Sequence, residues 1–390
     1  MPHRIVILMS DTGGGHRASS EAVQEALNLK YGDSVQVELI DVFKEYTPYP
    51  FSRFPAWYPR IIARGSQFWG PGFKVSDGRS RTRALVGAFY PYTRPAFRRL
   101  VREHPADVYV SAHPFLTMPT MRALGKRRPP FITVVTDLVS AHAFWFYPKV
   151  DEIIVPTEGA YQRALRHKVP PEKVKIIGLP VSQKFTVPSG DKAGLRQTLG
   201  WRPDLITVLL VGGGEGMGPL YEIAAGIAGA GLPLQLAVVA GRNDALRARL
   251  NSTQWKIPAH IYGFATNMPD LMRAADLIVT KAGPSSVVEA INAGLPIVLS
   301  GALPGQEEGN VRFVVDNGAG RWAPGPEKVV AAVRELAGSG PEVLAAAAAN
   351  ARSLARPHAA LDIAEEIGRF LPVEKRHPQG AVPTSNDKGA

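Results

Sequence analysis

The sequence contains no cysteine, has fewer acidic than basic residues, and lacks any long uninterrupted apolar run. The absence of cysteine excludes disulfides, thiolate metal sites and thiol nucleophiles. The apolar run Ile5–Met9 is too short for the core of a signal peptide. No stretch of about 18 apolar residues predicts a transmembrane helix. We therefore expect a cytoplasmic protein that is at most peripheral to a membrane.

The shortage of acidic residues leaves the chain strongly basic. Its 390 residues include 45 Lys and Arg against 34 Asp and Glu, which gives a formal net charge of +11. Such a charge favours a polyanionic partner: nucleic acid, an anionic membrane surface or a phosphorylated substrate. Because no recognisable nucleic-acid-binding module accompanies the charge, we expect no nucleic-acid partner.

The order of strands and turns predicts an α/β fold that is built twice. Arg4–Ser10 has the character of a buried strand and leads through three glycines into a helical stretch, and the same pattern begins again at Leu205. Each half is typical of a doubly wound parallel sheet, which binds ligands beyond the carboxyl ends of its strands. We predict two Rossmann-like domains that face a cleft.

Domain limits follow from the same pattern. We assign 1–180 to an N-terminal domain, 181–355 to a C-terminal domain, 356–371 to a last helix that packs back on the first domain, and 372–390 to a disordered tail.

The first glycine-rich loop, Ser10–His16, can bring its backbone close to an anion at the following helix N-terminus. It lacks the ending of a P-loop and the GxGxxG pattern, which argues against an ATPase or a dehydrogenase. His16 directly follows the glycines. A neutral imidazole there could take a proton from a hydroxyl, and a helix-capping or structural role is the alternative.

Two shorter features lie in the second half. The loop Gly212–Gly218 contains Gly213, Gly214 and Glu215; this glutamate could contact a sugar hydroxyl, close the cleft or belong to a tight turn. Gly263 and Phe264 follow another strand, and the phenylalanine could pack beside a base or lie in the core.

The segment Lys281–Gly320 carries the strongest pattern. Gly283, Ser285 and Ser286 stand at a helix N-terminus, where amides, hydroxyls and the helix dipole can hold a diphosphate. Glu289, one turn further, could accept hydrogen bonds from ribose hydroxyls. After the next strand come Gln306, Glu307 and Asn310, and the neighbouring amide and carboxylate suit hexose hydroxyls.

Residues 46–100 differ from an ordinary α/β segment, with 13 aromatic residues, ten Lys or Arg and the single acid Asp77. Aromatic and basic residues favour an anionic membrane interface, and a Pro-rich insertion with buried aromatics is the alternative. Single-stranded nucleic acid would also suit this composition, but no module supports it. The residues that we expect to contact the acceptor or the membrane are Trp57, Tyr58, Phe68, Trp69, Arg79, Arg81 and Arg83.

The motifs together resemble the monogalactosyldiacylglycerol synthase family. The matching segments, in order over about residues 4–370, are Met9–Ser19, Val134–Leu138, Gly178–Val181, Gly212–Pro219 and Lys281–Gly320. The family includes processive diacylglycerol glucosyltransferases and is more distantly similar to the N-acetylglucosaminyltransferase of peptidoglycan lipid precursors. One departure is Ser285-Ser286, where plant-type synthases are expected to have Gly-Thr; either pair can donate to phosphate.

The resemblance implies a GT-B fold, with a UDP-hexose donor in the C-terminal domain and a lipid acceptor at the N-terminal domain. It implies anomeric inversion with the UDP-sugar as co-substrate, no tightly bound cofactor and no strictly required metal. Carried over by position, His16 becomes the base and Gly263 and Phe264 line the uracil site. Ser285 and Ser286 then hold phosphate, Glu289 the ribose, and Gln306 and Glu307 the hexose.

Asp137, at a strand end, is the second candidate base or the residue that orients His16, and His113 is the third candidate.

The implied reaction transfers galactose from UDP-galactose to 1,2-diacylglycerol, on the inner face of a membrane. Three alternatives stay open: a UDP-glucose donor, another GT-B enzyme such as one with a polyprenyl-linked acceptor or a UDP-sugar epimerase, and a non-catalytic lipid- or nucleotide-binding protein. The expected partners are UDP-hexose, diacylglycerol and an anionic membrane surface.

Overall fold

The first of two parallel sheets is formed by the N-terminal half. The computed structural model describes residues 1–12, 14–187 and 190–372, the side chains of residues 59–68 excepted. In that part of the chain the first sheet comprises β1 (His3–Met9), β2 (Val35–Asp41), β3 (Val108–Ser111), β4 (Phe131–Val134), β5 (Glu152–Val155) and β6 (Val174–Ile176). Its order is β2-β1-β3-β4-β5-β6, and neighbouring strands are parallel.

The second sheet repeats this arrangement. It comprises β7 (Ile206–Val211), β8 (Leu234–Val239), β9 (Ala259–Tyr262), β10 (Leu277–Lys281), β11 (Ile297–Gly301) and β12 (Gly320–Trp322). The order is β12-β11-β10-β7-β8-β9, again with parallel neighbours. The prediction of two Rossmann-like doubly wound domains is therefore confirmed.

Helices cover the sheets. Those of the first half are α1 (Gly15–Tyr31), α2 (Val42–Glu45), α3 (Phe54–Ser76), α4 (Arg79–Glu103), α5 (Thr117–Leu124) and α6 (Glu158–Arg166). The second half has α7 (Lys192–Leu199), α8 (Leu220–Ala228), α9 (Asp244–Asn251), α10 (Met268–Ala274), α11 (Pro284–Asn292), α12 (Glu308–Asp316), α13 (Pro326–Gly338), α14 (Pro341–Leu354) and α15 (Ala359–Gly368). No helix within the described ranges combines the length and the apolar character needed to cross a membrane.

The strand sequences explain why the sheets are central. Ile5–Met9 is buried throughout, as is Val208–Val211 at the equivalent position of the second sheet. Parallel strands covered on both faces read as continuous Val/Ile/Leu runs of this kind. In each sheet the order of strand addition reverses beside the first strand, between β1 and β3 and between β7 and β10. The loops that follow these strands therefore meet at one edge.

The last helix returns to the first domain. The chain leaves the first sheet after Ile176 and enters the second domain at Lys192, and α15 then packs against α1. Ala360, Ile363 and Ile367 of α15 are buried in the same apolar cluster as strand β1. Residues 373–390 of the predicted tail lie outside the described residues.

The aromatic and basic segment folds as two long helices, α3 and α4, for which the sequence pattern gave no regular element. Helix α4 contains Pro91 and Pro95, which remove backbone donors from its interior. One stripe nevertheless anchors it, with Val86, Phe97 and Leu100 buried. Burial of this stripe decides the conformation where local propensity opposes it.

Asp77, the single acid of this segment, holds the corner between α3 and α4. Its carboxylate accepts hydrogen bonds from Arg163 Nη2 at 2.6 Å and from the backbone N–H of Ala143 at 2.9 Å. Burial would raise the pKa of Asp77, but the Arg163 guanidinium and the Ala143 amide lower it overall. The acid is therefore a structural pin between the helical segment and the loop after β4.

Replacing Asp77 by alanine should lower the free energy of unfolding by about 2–3 kcal/mol, since it leaves Arg163 without its partly buried partner. Because the folded pKa is lowered, this contribution is fully present above the unfolded value of 3.8 and is lost as the pH falls through the folded value. Urea unfolding at pH 7 and near pH 3 measures both effects. The exposed Asp33→Ala is the control; equal midpoints for the two variants at pH 7 would contradict the assignment.

Candidate active site

A pair of histidines lies at the carboxyl edge of the first sheet. His16 follows β1 and His113 follows the neighbouring β3, with ring centroids 4.7 Å apart in an edge-to-face arrangement. His16 Nδ1 lies 2.7 Å from the hydroxyl of Thr136, which follows β4. The capping alternative for His16 is wrong, because Gly14 caps α1 without a side-chain hydrogen bond. Sheet order thus joins residues 120 positions apart.

His113 is held as a neutral ring. The backbone N–H of Phe115 approaches Nδ1 at 3.4 Å, so we assign the ring proton to Nε2, which lies 3.0 Å from Thr12 Oγ1. Burial, and then the nearby His16, hold the pKa of His113 well below its ordinary value. Since its side chain is committed to Thr12, this third candidate base serves to fix the first glycine-rich loop.

His16 has the protonation state that a base needs. Burial lowers the pKa of His16 below its ordinary value, although the charge of Asp137, the carbonyl of Ala112 and the charge of Asp11 act in the opposite direction. The imidazole is consequently neutral at neutral pH and can accept a proton.

Asp137 does not orient His16 by a hydrogen bond. Its Oδ2 accepts from Trp145 Nε1 at 2.7 Å, and its Oδ1 accepts from Gln306 Nε2 at 3.3 Å across the cleft. The sequence hypothesis that Asp137 orients the histidine is therefore corrected: Thr136 makes that contact. Asp137 acts on His16 through its charge.

The loop after β11 brings Gln306 and Glu307 to the cleft, but the two side chains differ. Glu307 is 3% exposed, and its oxygens accept from Lys281 Nζ at 3.1 Å and from the Leu303 amide at 2.8 Å. This carboxylate therefore shapes the loop. Gln306 donates to Asp137, and its Oε1 is buried without a hydrogen-bond partner among the described residues. Of these two side chains, Gln306 is thus the one whose acceptor atom, Oε1, is available to a ligand.

The N-terminus of α11 is suited to bind an anion. Gly283 is the N-cap, Pro284 takes the first helical position, and the first-turn amides, including those of Ser285 and Ser286, have no acceptor within the helix. A Cβ at Gly283 would lie 3.4 Å from Lys281 Nζ, which adds a positive charge beside the turn. Amides, hydroxyls, helix dipole and ammonium suit a diphosphate.

The two domains nearly touch at this point. A Cβ on Gly15, at the start of α1, would lie 3.0 Å from the hydroxyl of Ser285. Glu289 lines an adjacent cavity of about 310 Å³, together with Ser285, one face of α1 and residues 180–185. Burial raises the pKa of Glu289 to about 7. Hydroxyl donors would favour its charged form, and its role at the ribose stays a prediction.

Glu215 and Phe264 form a surface cluster with Arg242. The Arg242 guanidinium donates to Glu215 Oε1 at 2.8 Å and lies 4.3 Å above the Phe264 ring. Phe264 is 54% exposed, so the core alternative is wrong. Gly213 (φ +72°) and Gly214 shape the loop, and a Cβ on Gly214 would lie 3.3 Å from Arg242 Nη1. Gly263 is similarly close to Arg247.

Asn310 is a structural residue of the second domain. It is buried, and its Nδ2 donates to the carbonyl of Ala282 at 2.9 Å, so it ties α12 to the strand that precedes the phosphate turn. The backbone N–H of the preceding residue, Gly309, donates to Ser140 Oγ across the cleft at 3.1 Å.

The predicted acceptor and membrane residues differ in how exposed they are. Trp57 and Arg83 are exposed, while exposed Arg81 caps α3 by donating to carbonyls at its end. Arg79 has a buried Nε, and the side chain of Phe68 lies outside the described residues.

Tyr58 is only partly exposed. Its burial, together with the charges of Glu307 and Asp137, raises the pKa of its hydroxyl above the ordinary value, so the hydroxyl lies within reach of two cleft carboxylates. Trp69 packs edge-on against it, with ring centroids 5.5 Å apart. These two residues of α3 therefore belong with the site.

Four residues that contact the predicted site residues were not singled out from the sequence: Thr136, Trp145, Lys281 and Arg242. Thr136 and Lys281 stand next to predicted site residues at strand ends, so their position was a usable signal. Trp145 and Arg242 reach Asp137 and Phe264 only through loop folding, which sequence spacing does not encode.

Comparison with known proteins adds family models for both halves. The model described as monogalactosyldiacylglycerol (MGDG) synthase matches residues 16–181. The glycosyltransferase family 28 C-terminal domain matches residues 207–366.

Relatives match over nearly the whole chain. Monogalactosyldiacylglycerol synthase 1, chloroplastic, from Arabidopsis thaliana is 35% identical over 389 residues, covering 97% of this chain and 73% of that protein. The chloroplastic monogalactosyldiacylglycerol synthase of Spinacia oleracea is 37% identical over 381 residues, covering 95% and 73%.

Solved structures with the same fold are more distant in sequence. MurG of Acinetobacter baumannii has a TM-score of 0.61 at 15% identity, covering 94% of this chain and all of that one. WaaG, a glycosyltransferase involved in lipopolysaccharide biosynthesis, has a TM-score of 0.56 at 18% identity, covering 93% and 99%. These likenesses establish the GT-B fold, and the near full-length identity to the synthases establishes the family. The chain belongs to the monogalactosyldiacylglycerol synthase family of GT-B glycosyltransferases.

Proposed function

We propose that this protein transfers galactose from UDP-galactose to the free hydroxyl of 1,2-diacylglycerol and so forms monogalactosyldiacylglycerol. The observation that carries the proposal is 35–37% identity to monogalactosyldiacylglycerol synthases over 95–97% of the chain. The facing sheet edges, with a neutral histidine opposite an anion-binding helix start, fit this reaction. A hydroxyl acceptor and a diphosphate leaving group need those two features.

The donor side of the mechanism rests on α11. As the bond between the anomeric carbon and the diphosphate oxygen breaks, negative charge develops on the departing UDP. First-turn amides, the hydroxyls of Ser285 and Ser286, and nearby Lys281 can stabilise that charge. We propose that this stabilisation removes any strict need for a bound metal, and that Glu289 contacts the ribose.

The acceptor side rests on His16. Its Nδ1 is engaged by Thr136, so Nε2 is the ring atom that would take the proton of the acceptor hydroxyl. The hydroxyl oxygen attacks the anomeric carbon opposite the diphosphate, its proton passes to His16, and UDP leaves with the bonding electrons. Attack from the opposite face inverts the anomeric centre. Asp137 stabilises the protonated imidazole through its charge.

Product analysis tests the reaction. Purified protein given diacylglycerol in vesicles containing phosphatidylglycerol should form a β-galactosyl lipid from UDP-galactose, and it should continue to do so in EDTA. A glucosyl lipid from UDP-glucose alone would change the donor. Absence of lipid product from both donors, with UDP still bound, would contradict the proposal, and His16→Ala is the inactive control.

Thr136→Val should lower kcat about tenfold at an unchanged KM for UDP-galactose, because the imidazole loses its orienting partner. His16→Ala should lower kcat at least a hundredfold.

The base works in its neutral form and the pKa of His16 is lowered, so wild-type kcat/KM should fall only below pH 6.5 on the acid side. Initial rates across that pH range measure this limb.

Thr133→Val is the matched control, since Thr133 is also buried but its hydroxyl bonds to Thr117, away from the histidine. Equal kcat values for the two valine variants would show that Thr136 does not act on His16.

We further propose peripheral attachment to the cytoplasmic, inner face of an anionic membrane. An aromatic face, defined by Tyr49, Trp57, Phe89 and Tyr92, is 36–66% exposed. Phe51 links its members, 5.5 Å from Phe89 and 6.4 Å from Tyr92 between ring centroids. Helix α4 also carries four exposed arginines: Arg81, Arg83, Arg94 and Arg98. Aromatic rings at the interface with basic residues beside anionic headgroups favour this surface.

Replacing Phe89 and Tyr92 together by serine should weaken binding to phosphatidylglycerol-containing vesicles about tenfold or more, through lost apolar insertion. Vesicle co-sedimentation measures it, and higher salt should weaken the wild type as well. The control is Val315→Ser with Trp322→Ser, which removes two exposed apolar side chains from the other domain. If both double variants bind vesicles like the wild type, the aromatic face is not the attachment site.

A further inference from the structure

One face of α3 lies directly on the loop that follows β11. A Cβ added to Gly70 would lie 2.8 Å from Pro304 Cβ, and a Cβ on Gly305 would lie 3.2 Å from the Phe73 ring. A side chain at Gly70 would displace Pro304, and a side chain at Gly305 would crowd Phe73 in a backbone conformation (φ +80°) that favours glycine. Helix α3 therefore covers the 303–307 loop.

The C-terminal end of α3 is fixed to the first domain. The Phe73 ring packs edge-on against His142, with centroids 4.8 Å apart, and the Ser76 hydroxyl lies 3.1 Å from His142 Nε2. Asp77 then pins the end of the helix to Arg163. Because α3 is held by one domain and rests on the other, it bridges the mouth of the cleft.

Two aromatic residues of α3 contact each other near the cleft. The charges of the carboxylates of Glu307 and Asp137 act on the hydroxyl of Tyr58. Trp69 packs against Tyr58 and immediately precedes Gly70, the contact point with Pro304. Trp69 is thereby placed at the corner between the helix and the loop.

This corner carries an unpaired donor and an unpaired acceptor. The indole nitrogen of Trp69 is buried, and no group in the described part of the chain accepts its hydrogen. Gln306 Oε1, two residues beyond Pro304, is likewise buried and receives no hydrogen bond from the described residues. Buried polar groups of this kind are normally paired, and hydroxyls, which both donate and accept, satisfy them.

We propose that the donor hexose is bound beside the contact between α3 and the 303–307 loop, with Trp69 Nε1 donating to one of its hydroxyls and Gln306 Oε1 accepting from another. Tyr58 positions the indole by packing against it. The inference rests on the proposed UDP-galactose donor and adds a hexose-reading residue from the acceptor domain. The aromatic segment thereby has two functions on different helical faces, since Trp57 of the same helix is exposed.

Binding calorimetry on full-length variants tests the proposal without depending on turnover. Trp69→Phe should weaken UDP-galactose about five- to tenfold and leave the affinity for UDP unchanged, because only the hexose loses a hydrogen bond. Trp322→Phe, at an exposed tryptophan of the second domain, is the matched control and should change neither. Trp69→His, which keeps a ring N–H, should recover part of the loss.

Monodeoxy donors identify the hydroxyl. For one of the monodeoxy UDP-galactoses the penalty of Trp69→Phe should vanish, which a merely structural role of the indole would not produce. Unchanged UDP-galactose affinity in Trp69→Phe, or an equal loss for UDP and UDP-galactose, would overturn the inference. A wild type that binds UDP-galactose but makes no lipid product would instead contradict the proposed function and leave this binding test valid.

Discussion

The burial of α15 against α1 is the interaction on which the cleft depends. Helix α15 follows the second domain in the chain, yet Ile363 and Ile367 are fully buried in the core of the first. Lys175 of the first sheet bridges Glu366 on α15 and Glu152 on β5, and Lys30 pairs with Glu365 at 2.7 Å. Since α1 carries His16 at its other end, the contact that returns the chain to the first domain also sets the histidine opposite α11.

Two carboxylates of the cleft, Glu307 and Asp137, are hydrogen-bonded before any substrate binds. Glu307 is neutralised by Lys281 within the second domain, and Asp137 receives an indole N–H and an amide N–H. Burial without such partners would be costly for either carboxylate. Gln306 Oε1 and the indole N–H of Trp69 stay unpaired among the described cleft residues, and both are neutral. These groups suit sugar hydroxyls better than ions.

Helices α3 and α4 connect the exposed aromatic face to the cleft. Their exposed aromatic face suits a lipid surface, while Tyr58 and Trp69 on α3 lie beside the carboxylates of the cleft. An acceptor that arrives from a membrane would thus meet the site along the same helices. This arrangement gives a physical reason for so many aromatic residues in one segment with a single acid, Asp77, which serves as its pin.

By itself the sequence determined the repeated strand–glycine loop–helix pattern, and therefore which residues stand at strand ends. His16, Ser285 and Gln306 were found in this way, because parallel strands deliver their following loops to one edge. Helices α3 and α4 were not found, since prolines mask their pattern and burial of one stripe decides it.

The tertiary structure alone decided which polar partners each group receives. It gave Thr136 rather than Asp137 to His16, Lys281 to Glu307, and Arg242 to Phe264. It also turned Tyr58 toward the cleft while leaving Trp57 exposed. The physical reason is that a hydrogen bond needs its two groups within about 3 Å. Sequence spacing fixes which sheet edge a residue occupies but not side-chain positions to that accuracy.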